Sequence, residues 1–267
     1  MERRLRSGYW QNLTTRDFAG LDAESVVALL PVAAIEAHGP HLPLSTDAVI
    51  NEGIVRRALE KLPASPALLV LPALSVGHSL EHTGFAGTLS TGFETLLGLW
   101  LDVGRSVART GVRKLVILNT HGGQRSLVDV AALRLRAECA MLAVRANYFA
   151  FGAPGGLFDE RELRHGLHGG DAETSLMLHL RPDLVRVDAL EAFGGLPERL
   201  EERLQVLGVE KPIGIGWMSQ DLHPQGVCGN AAAADADKGE EYLEYIVDAL
   251  IRLVVEVGAM PLDQLRE

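Results

Sequence analysis

Residues 26–47 read VVALLPVAAIEAHGPHLPLSTD, and this stretch decides the fold. Its first part, Val26 to Ile35, is almost wholly apolar. It is far short of the roughly 20 residues a membrane span needs. Its brevity, its valines and the Gly39-Pro40 that follows predict a strand of a parallel sheet, buried on both faces. Glu36 comes directly after, and a carboxylate at the mouth of a buried strand needs a partner. Glu36 and His38, two residues apart, point the same way in extended chain. Thr46 and Asp47 then open a helical pattern carried by Ile50, Ile54, Val55, Leu59 and Leu62. A Thr-Asp pair before a helix is commonly an N-cap; a carboxylate has two oxygens, and Asp47 can also bridge two metal ions.

Outward from this stretch, strand and helix patterns alternate. LLVL (Leu68 to Leu71), LVIL (Leu115 to Leu118) and Met141 to Tyr148 read as further strands. Phe93 to Arg109, Leu127 to Ala137, Asp171 to Leu180 and Asp235 to Val257 read as helices, the first stopped by Gly111. Phe149 to Gly170 reads as a long connection, and Gly194 to Ala234 gives no clear pattern. The alternation predicts an α/β fold: a three-layer α/β/α sandwich around a mostly parallel central sheet, in a single domain over residues 1–267.

Composition fits this plan. The chain has 267 residues, 47% hydrophobic and 22% charged, enough for a large core. Its formal net charge of -10 repels phosphate backbones, so no nucleic-acid partner is expected. Two cysteines, Cys139 and Cys228, make no disulfide scaffold and fit a reducing compartment. Arg3, Arg4 and Arg6 precede no apolar run, so neither a secretory signal nor a membrane partner is expected; the expected location is cytoplasmic. No Walker loop, G-x-S-x-G elbow, H-E-x-x-H helix or dinucleotide fingerprint is present.

Residues able to bind metal gather just after the predicted strands, where open α/β sheets bind ligands. Glu36, His38, His41 and Asp47 follow the first strand; His78, Ser79, Glu81 and His82 the second; His121 the third; His165, His168 and Glu173 the fourth. Only His179 and His223 of the nine histidines lie elsewhere. Imidazole and carboxylate together suit zinc, manganese or iron. Glu36, His38, Asp47, His121 and Glu173 are the candidate ligands. Glycines beside His121, Gly122 among them, leave space next to an ion. Singly, each residue has a bland reading as a turn, cap or surface group; the joint arrangement carries the case.

These blocks resemble the creatininase family. PVAAIEAHGPHLPLSTD (Pro31 to Asp47) is similar to its P-x-G-S-x-E-Q-H-G-P-H-L-P-L-x-T-D, and GHSLEHTGFAGTLS (Gly77 to Ser90) to its G-x-S-x-E-H-x-x-F-P-G-T-x-S. NTHGGQ (Asn119 to Gln124), HGGDAETS (His168 to Ser175) and GVCGNAAAADADKG (Gly226 to Gly239) resemble later family segments, in family order. The resemblance implies a layered α/β/α fold, two divalent metal ions (Zn, Mn or Fe) and a homo-oligomer, commonly a hexamer. It implies that Glu36, Asp47 and His121 hold one ion, that His38 and Asp47 hold the other, and that His168 is the active-site histidine. Creatininase has a further glutamate ligand where this chain has Gly123, so Glu173 is the candidate to complete the second seat, as ligand or as catalytic base. His78 and Ser79 are candidates for substrate binding or for orienting ligands, with His41 and His82 read as orienting. Arg164 stands where creatininase has a substrate-enclosing tryptophan; Trp10, Trp100 and Trp217 lie outside these blocks. Arg164 offers a fork of donors to a larger or anionic group, and creatinine is expected to be a poor substrate.

The function so implied is metal-dependent hydrolysis of a C–N amide bond in a small molecule (a cyclic amide, a formamide or similar) by water that the ions activate. The alternatives are a peptidase of the mycofactocin-maturation type and a metal-dependent small-molecule binding protein without turnover.

Overall fold

The computed structural model describes residues 7–19, 21–210 and 213–266; Arg3, Arg4 and Arg6 lie outside them. The elements run β1 (Gly8–Tyr9), α1 (Thr15–Ala19), β2 (Val26–Val32), α2 (Thr46–Lys61), β3 (Ala67–Val70), α3 (Phe93–Arg109), β4 (Lys114–Asn119), α4 (Arg125–Cys139), β5 (Leu142–Asn147), α5 (Glu160–His165), α6 (Asp171–Leu180), β6 (Ala192–Phe193), α7 (Leu196–Glu201), α8 (Ser219–Leu222), β7 (Gly229–Asn230) and α9 (Ala236–Ala259). The main sheet has the order β1-β3-β2-β4-β5, with every neighbouring pair parallel.

Side-chain alternation along β2 sorts the core into two layers. Val27 and Leu29 face one side, where they pack with α2, α6 and α9 through Ile50, Ile54, Leu176, Ile246 and Leu250. Val26, Ala28, Leu30 and Val32 face the other, against α3 and α4 through Leu96, Trp100, Leu127 and Leu135. A strand buried on both faces has no polar side to show, hence the unbroken apolar run. The α/β/α sandwich expected from the sequence is the fold observed.

Some boundaries differ from the sequence reading. The strand expected to run to Ile35 ends at Val32, because the Ala33 N–H donates to the Leu74 carbonyl and the chain leaves the ladder. The connection 149–170 contains α5, capped by the Asp159 carboxylate on the Arg161 N–H. The illegible stretch holds the β6–β7 pair and two short helices. Edge strand β1 has two residues, too few for periodicity to register. No helix among the described residues is long and apolar enough to cross a membrane.

The ends of the two central strands are clamped together. Buried Asn51, on α2, donates from Nδ2 to the carbonyls of Val32 (3.1 Å) and Leu118 (3.2 Å), the last turns of β2 and β4 before the candidate ligands. Asn51→Leu removes both of these bonds, and a third to Thr120 Oγ1 (3.3 Å), at nearly constant volume. Buried acceptors that lose a donor cost about 1–3 kcal/mol, and denaturant unfolding of the metal-free variant is expected to read a loss in that range. Unchanged stability would show that the clamp holds nothing.

Candidate metal centre

Three loops at the carboxyl ends of the strands build the site. After β2 the chain makes a closed excursion: the Glu36 N–H donates to the Leu44 carbonyl (2.9 Å), and His38 pairs with Leu42. Gly39 turns it with φ +70°, and a Cβ there would lie 2.8 Å from Val227 Cγ1, so only glycine fits. Asp47 sits in the first turn of α2, but its side chain caps nothing; Ser45 is the N-cap residue, and Asp47 turns inward. After β4, Asn119 folds the next turn around His121: its Oδ1 accepts the His121 N–H (3.0 Å) and its Nδ2 donates to the His121 carbonyl (2.7 Å).

The excursion and the turn bring the candidate ligands together. His121 Nδ1 lies 3.1 Å from Glu36 Oε1 and 3.4 Å from Asp47 Oδ2. His38 Nε2 lies 3.3 Å from Asp47 Oδ1, 3.9 Å from Glu36 Oε1 and 4.0 Å from Glu173 Oε2. Asp47 thus offers one oxygen to each histidine. Glu36, His38, Asp47 and His121 are buried, while Glu173 is half-buried. Three groups are spaced so that each could hold an ion: His38, Asp47 and Glu173; Glu36, Glu81 and His121; Glu36, His38 and His168.

Their electrostatics call for positive charge. Burial alone would lower the His38 pKa, but Asp47, Glu173 and Glu36 outweigh it and raise it to about 10. His121 is likewise raised well above its ordinary value, against burial, by Glu36, Asp47 and Glu81. Asp47, which burial would raise, is held well below the carboxylate range by these two imidazoles. Glu36 Oε2, Asp47 Oδ2 and His38 Nε2 are buried without a hydrogen-bond partner. The His38 Nδ1–H donates to the Glu36 carbonyl (3.0 Å), so Nε2 is the nitrogen that faces the carboxylates. Orphaned oxygens and an inward-facing imidazole nitrogen fit a transition ion.

The other sequence candidates fall around this cluster. His168 Nδ1 is 4.0 Å from Glu36 Oε1, and its ring lies 4.2 Å from that of His38, centre to centre. Glu173 Oε2 accepts the Gly169 N–H (2.6 Å), and Tyr148 donates to Oε1 (3.4 Å). The His78 ring turns away to the Thr91 carbonyl (2.8 Å), but its own carbonyl, with Ser79 Oγ, lies against His121 Nε2. Exposed Gly122 leaves open space beside His121. Exposed Arg164, on α5, enters none of the contacts that bind the cluster, and His165 pairs with Glu201 (2.7 Å). His41 is spent on the Gly169 carbonyl and Thr174 (2.9 and 3.1 Å).

The sequence reading gave no role to two residues. Glu81, one residue from a histidine it noted, reaches to 3.2 Å from His121 Nε2. Trp217, which lies outside the matched blocks, packs edge-on to His82 with ring centres 6.4 Å apart, and His82 Nε2 is 3.5 Å from Glu36 Oε1. Glu81 was legible as a carboxylate beside His82; nothing in the sequence ties Trp217 to a loop 135 positions earlier.

A parallel α/β sheet that gathers buried carboxylates and imidazoles at its strand ends has the donor set of a metal centre. The family model described as creatinine amidohydrolase matches residues 11–254, and the chain belongs to the creatininase family. It is 36% identical over 225 residues to a mycofactocin precursor peptide peptidase of Mycobacterium ulcerans (strain Agy99), covering 82% of this chain and 81% of that one. It is 34% identical over 200 residues to a creatinine amidohydrolase of Pseudomonas putida, covering 68% and 75%. A solved structure described as creatininase Mn superposes with TM-score 0.76 at 26% identity, over 96% of this chain and 100% of the other.

The raised His38 pKa has a consequence for stability. A histidine whose folded pKa exceeds its unfolded value, about 6.5, stabilises the fold fully below that value and loses the contribution as pH rises through the folded pKa, here about 10. Metal-free protein is therefore expected to lose denaturation midpoint from about pH 7 to about pH 10 more steeply than zinc-loaded protein, in which the ion replaces the proton. Parallel curves would contradict the assignment of His38 to an ion.

Proposed function

We propose that this chain is a metal-dependent amidohydrolase whose natural substrate is a peptide amide. The observation that carries the reading is the sharing of Asp47 between two imidazoles, each with a second carboxylate at hand, beside His168. Glu36, Asp47 and His121 would hold one ion, and His38, Asp47 and Glu173 the other. Divalent ions bound there supply Lewis acidity, lowering the pKa of water toward about 7 and polarising a carbonyl.

The chain's own groups do the rest. The His168 Nε2–H donates to the Ala37 carbonyl at 2.8 Å, which fixes the tautomer and leaves the Nδ1 lone pair toward the cluster. From there Nδ1 accepts the proton of the attacking water and returns it to the amide nitrogen as the C–N bond breaks. His82 lies against His168 with ring centres 4.3 Å apart. Burial, and then the charges of His168, His38 and His121, lower the His82 pKa, so it stays an uncharged wall. Glu173, by accepting the Gly169 N–H, steadies the turn that carries His168.

Two observations support a peptide. The peptidase relative is matched over more of this chain than the creatinine amidohydrolase. The stretch leading to Trp217, which lies against His82, also carries exposed Val206, Leu207, Ile213 and Ile215, apolar side chains that an extended chain would cover. Trp217 also favours a second reading, creatinine itself, because a flat ring needs a close aromatic wall. Assays with zinc, manganese and iron on short peptides with apolar termini, and on creatinine, separate the two. Peptide cleavage is expected, with creatinine kcat/KM below about 10⁴ M⁻¹s⁻¹. His168→Ala is expected to lower kcat about 10²–10⁴-fold with metal content unchanged. Creatinine turnover above that limit with inert peptides would overturn the peptide reading; no turnover of any amide would leave a binding protein.

A further inference from the structure

An imidazole that ligates an ion through one nitrogen must place its proton on the other, and a buried N–H needs an acceptor. His121 Nδ1 faces Glu36 and Asp47. Its Nε2 faces three oxygens: the His78 carbonyl at 3.0 Å, Glu81 Oε1 at 3.2 Å and Ser79 Oγ at 3.5 Å. Glu81 Oε1 is buried and makes no hydrogen bond; its contact with His121 Nε2 is an ion pair, while the His78 carbonyl is the hydrogen-bond acceptor. It lies 3.8 Å from His82 Nε2, beyond hydrogen-bond reach.

The turn that follows His121 is shaped for this carboxylate. A Cβ built on Gly123 would lie 1.5 Å from Glu81 Oε1 and 2.7 Å from His121 Nε2. A side chain at 123 and Glu81 in this rotamer therefore exclude each other. Gly123, where the resemblance gives creatininase a further glutamate, leaves the space that the Glu81 carboxylate fills from a different loop. That loop is held at its own backbone, where Ser219 Oγ donates to the Glu81 carbonyl (3.1 Å).

We infer that Glu81 is a positioning residue: from the space Gly123 leaves open its charge sits against Nε2 of His121, keeps the proton there on the side of the His78 carbonyl, and so fixes Nδ1 as the nitrogen that faces an ion. The inference rests on the metal-dependent reading above. Carboxylates behind ligating histidines orient the ring and raise its basicity, and their loss typically weakens metal binding 10–100-fold.

The test uses the full chain, wild type and Glu81→Gln, which keeps the shape and removes the charge. Zinc affinity is read by chelator competition, the His121 ring by nitrogen-edited NMR with and without zinc, and the fold by the melting temperature of metal-free protein. The expected result is zinc on Nδ1 and a proton on Nε2 in the wild type. In the variant one of the two seats weakens about 10–100-fold yet still fills at saturating zinc, the other is unchanged, and the metal-free melting temperature holds. The Nε2 proton resonance is expected to move upfield in the variant with or without zinc. Unchanged affinity, zinc on Nε2, or an ion that saturating zinc fails to restore would overturn the proposal, the last by making Glu81 a ligand itself. A wild type that binds no zinc sinks the metal reading, and the metal-free proton resonance still decides on Glu81. If that variant does not fold, Glu81→Asp, which draws the carboxylate back from Nε2, is put through the same measurements, with the same weakened seat and upfield shift expected and unchanged affinity overturning the proposal.

Discussion

Carboxylates packed around two buried imidazoles, at the dry ends of a parallel sheet, are the constraint on which this molecule turns. Glu36, Asp47, Glu81 and Glu173 converge on His38 and His121 from four separate segments. Like charges at such distances repel strongly once water is excluded. The arrangement persists only if positive charge is supplied, by protons on the imidazoles or by ions that displace them. The raised pKa of both histidines and the depressed pKa of Asp47 express that demand.

The scaffold spends its regularity on holding this cluster still. Central strands β2 and β4 deliver Glu36 and His121 side by side, and Asn51 ties their ends from the helix that carries Asp47. On the other flank, buried Glu162 accepts the backbone N–H groups of Asp171 and Asn230 at 2.7 and 2.8 Å. Lys238, at the start of α9, pairs with Asp171. These contacts pin the amino end of α6, and with it Glu173 and the turn bearing His168. Removing Lys238 or Glu162 would act on the site through this frame, since neither enters the cluster.

Much of this was legible in the sequence, for a physical reason. A strand buried on both faces must be apolar throughout, so Val26 to Val32 announced a parallel sheet, and polar residues just beyond it had to be partnered. Hence Glu36, His38, Asp47 and His121 were readable before any coordinates, and the structure brings them together. What escaped reading depends on tertiary approach. Trp217 reaches His82 only because the segment after α7 folds back over the strand ends. The role of Glu81 depends on empty space at Gly123, which no local pattern reports. β1 and the β6–β7 pair are too short to carry a period.

Glu81 reaches His121 through the space that Gly123 leaves open, so the charge behind this histidine depends on room in a second loop. The central claim is that the buried cluster exists to hold ions. Its most direct test is a crystal structure of the zinc-loaded protein with anomalous scattering recorded at the zinc edge. The account predicts two peaks, one among Glu36, Asp47 and His121 and one among His38, Asp47 and Glu173. An absence of anomalous density there, with the imidazoles hydrogen-bonded directly to the carboxylates, would contradict it.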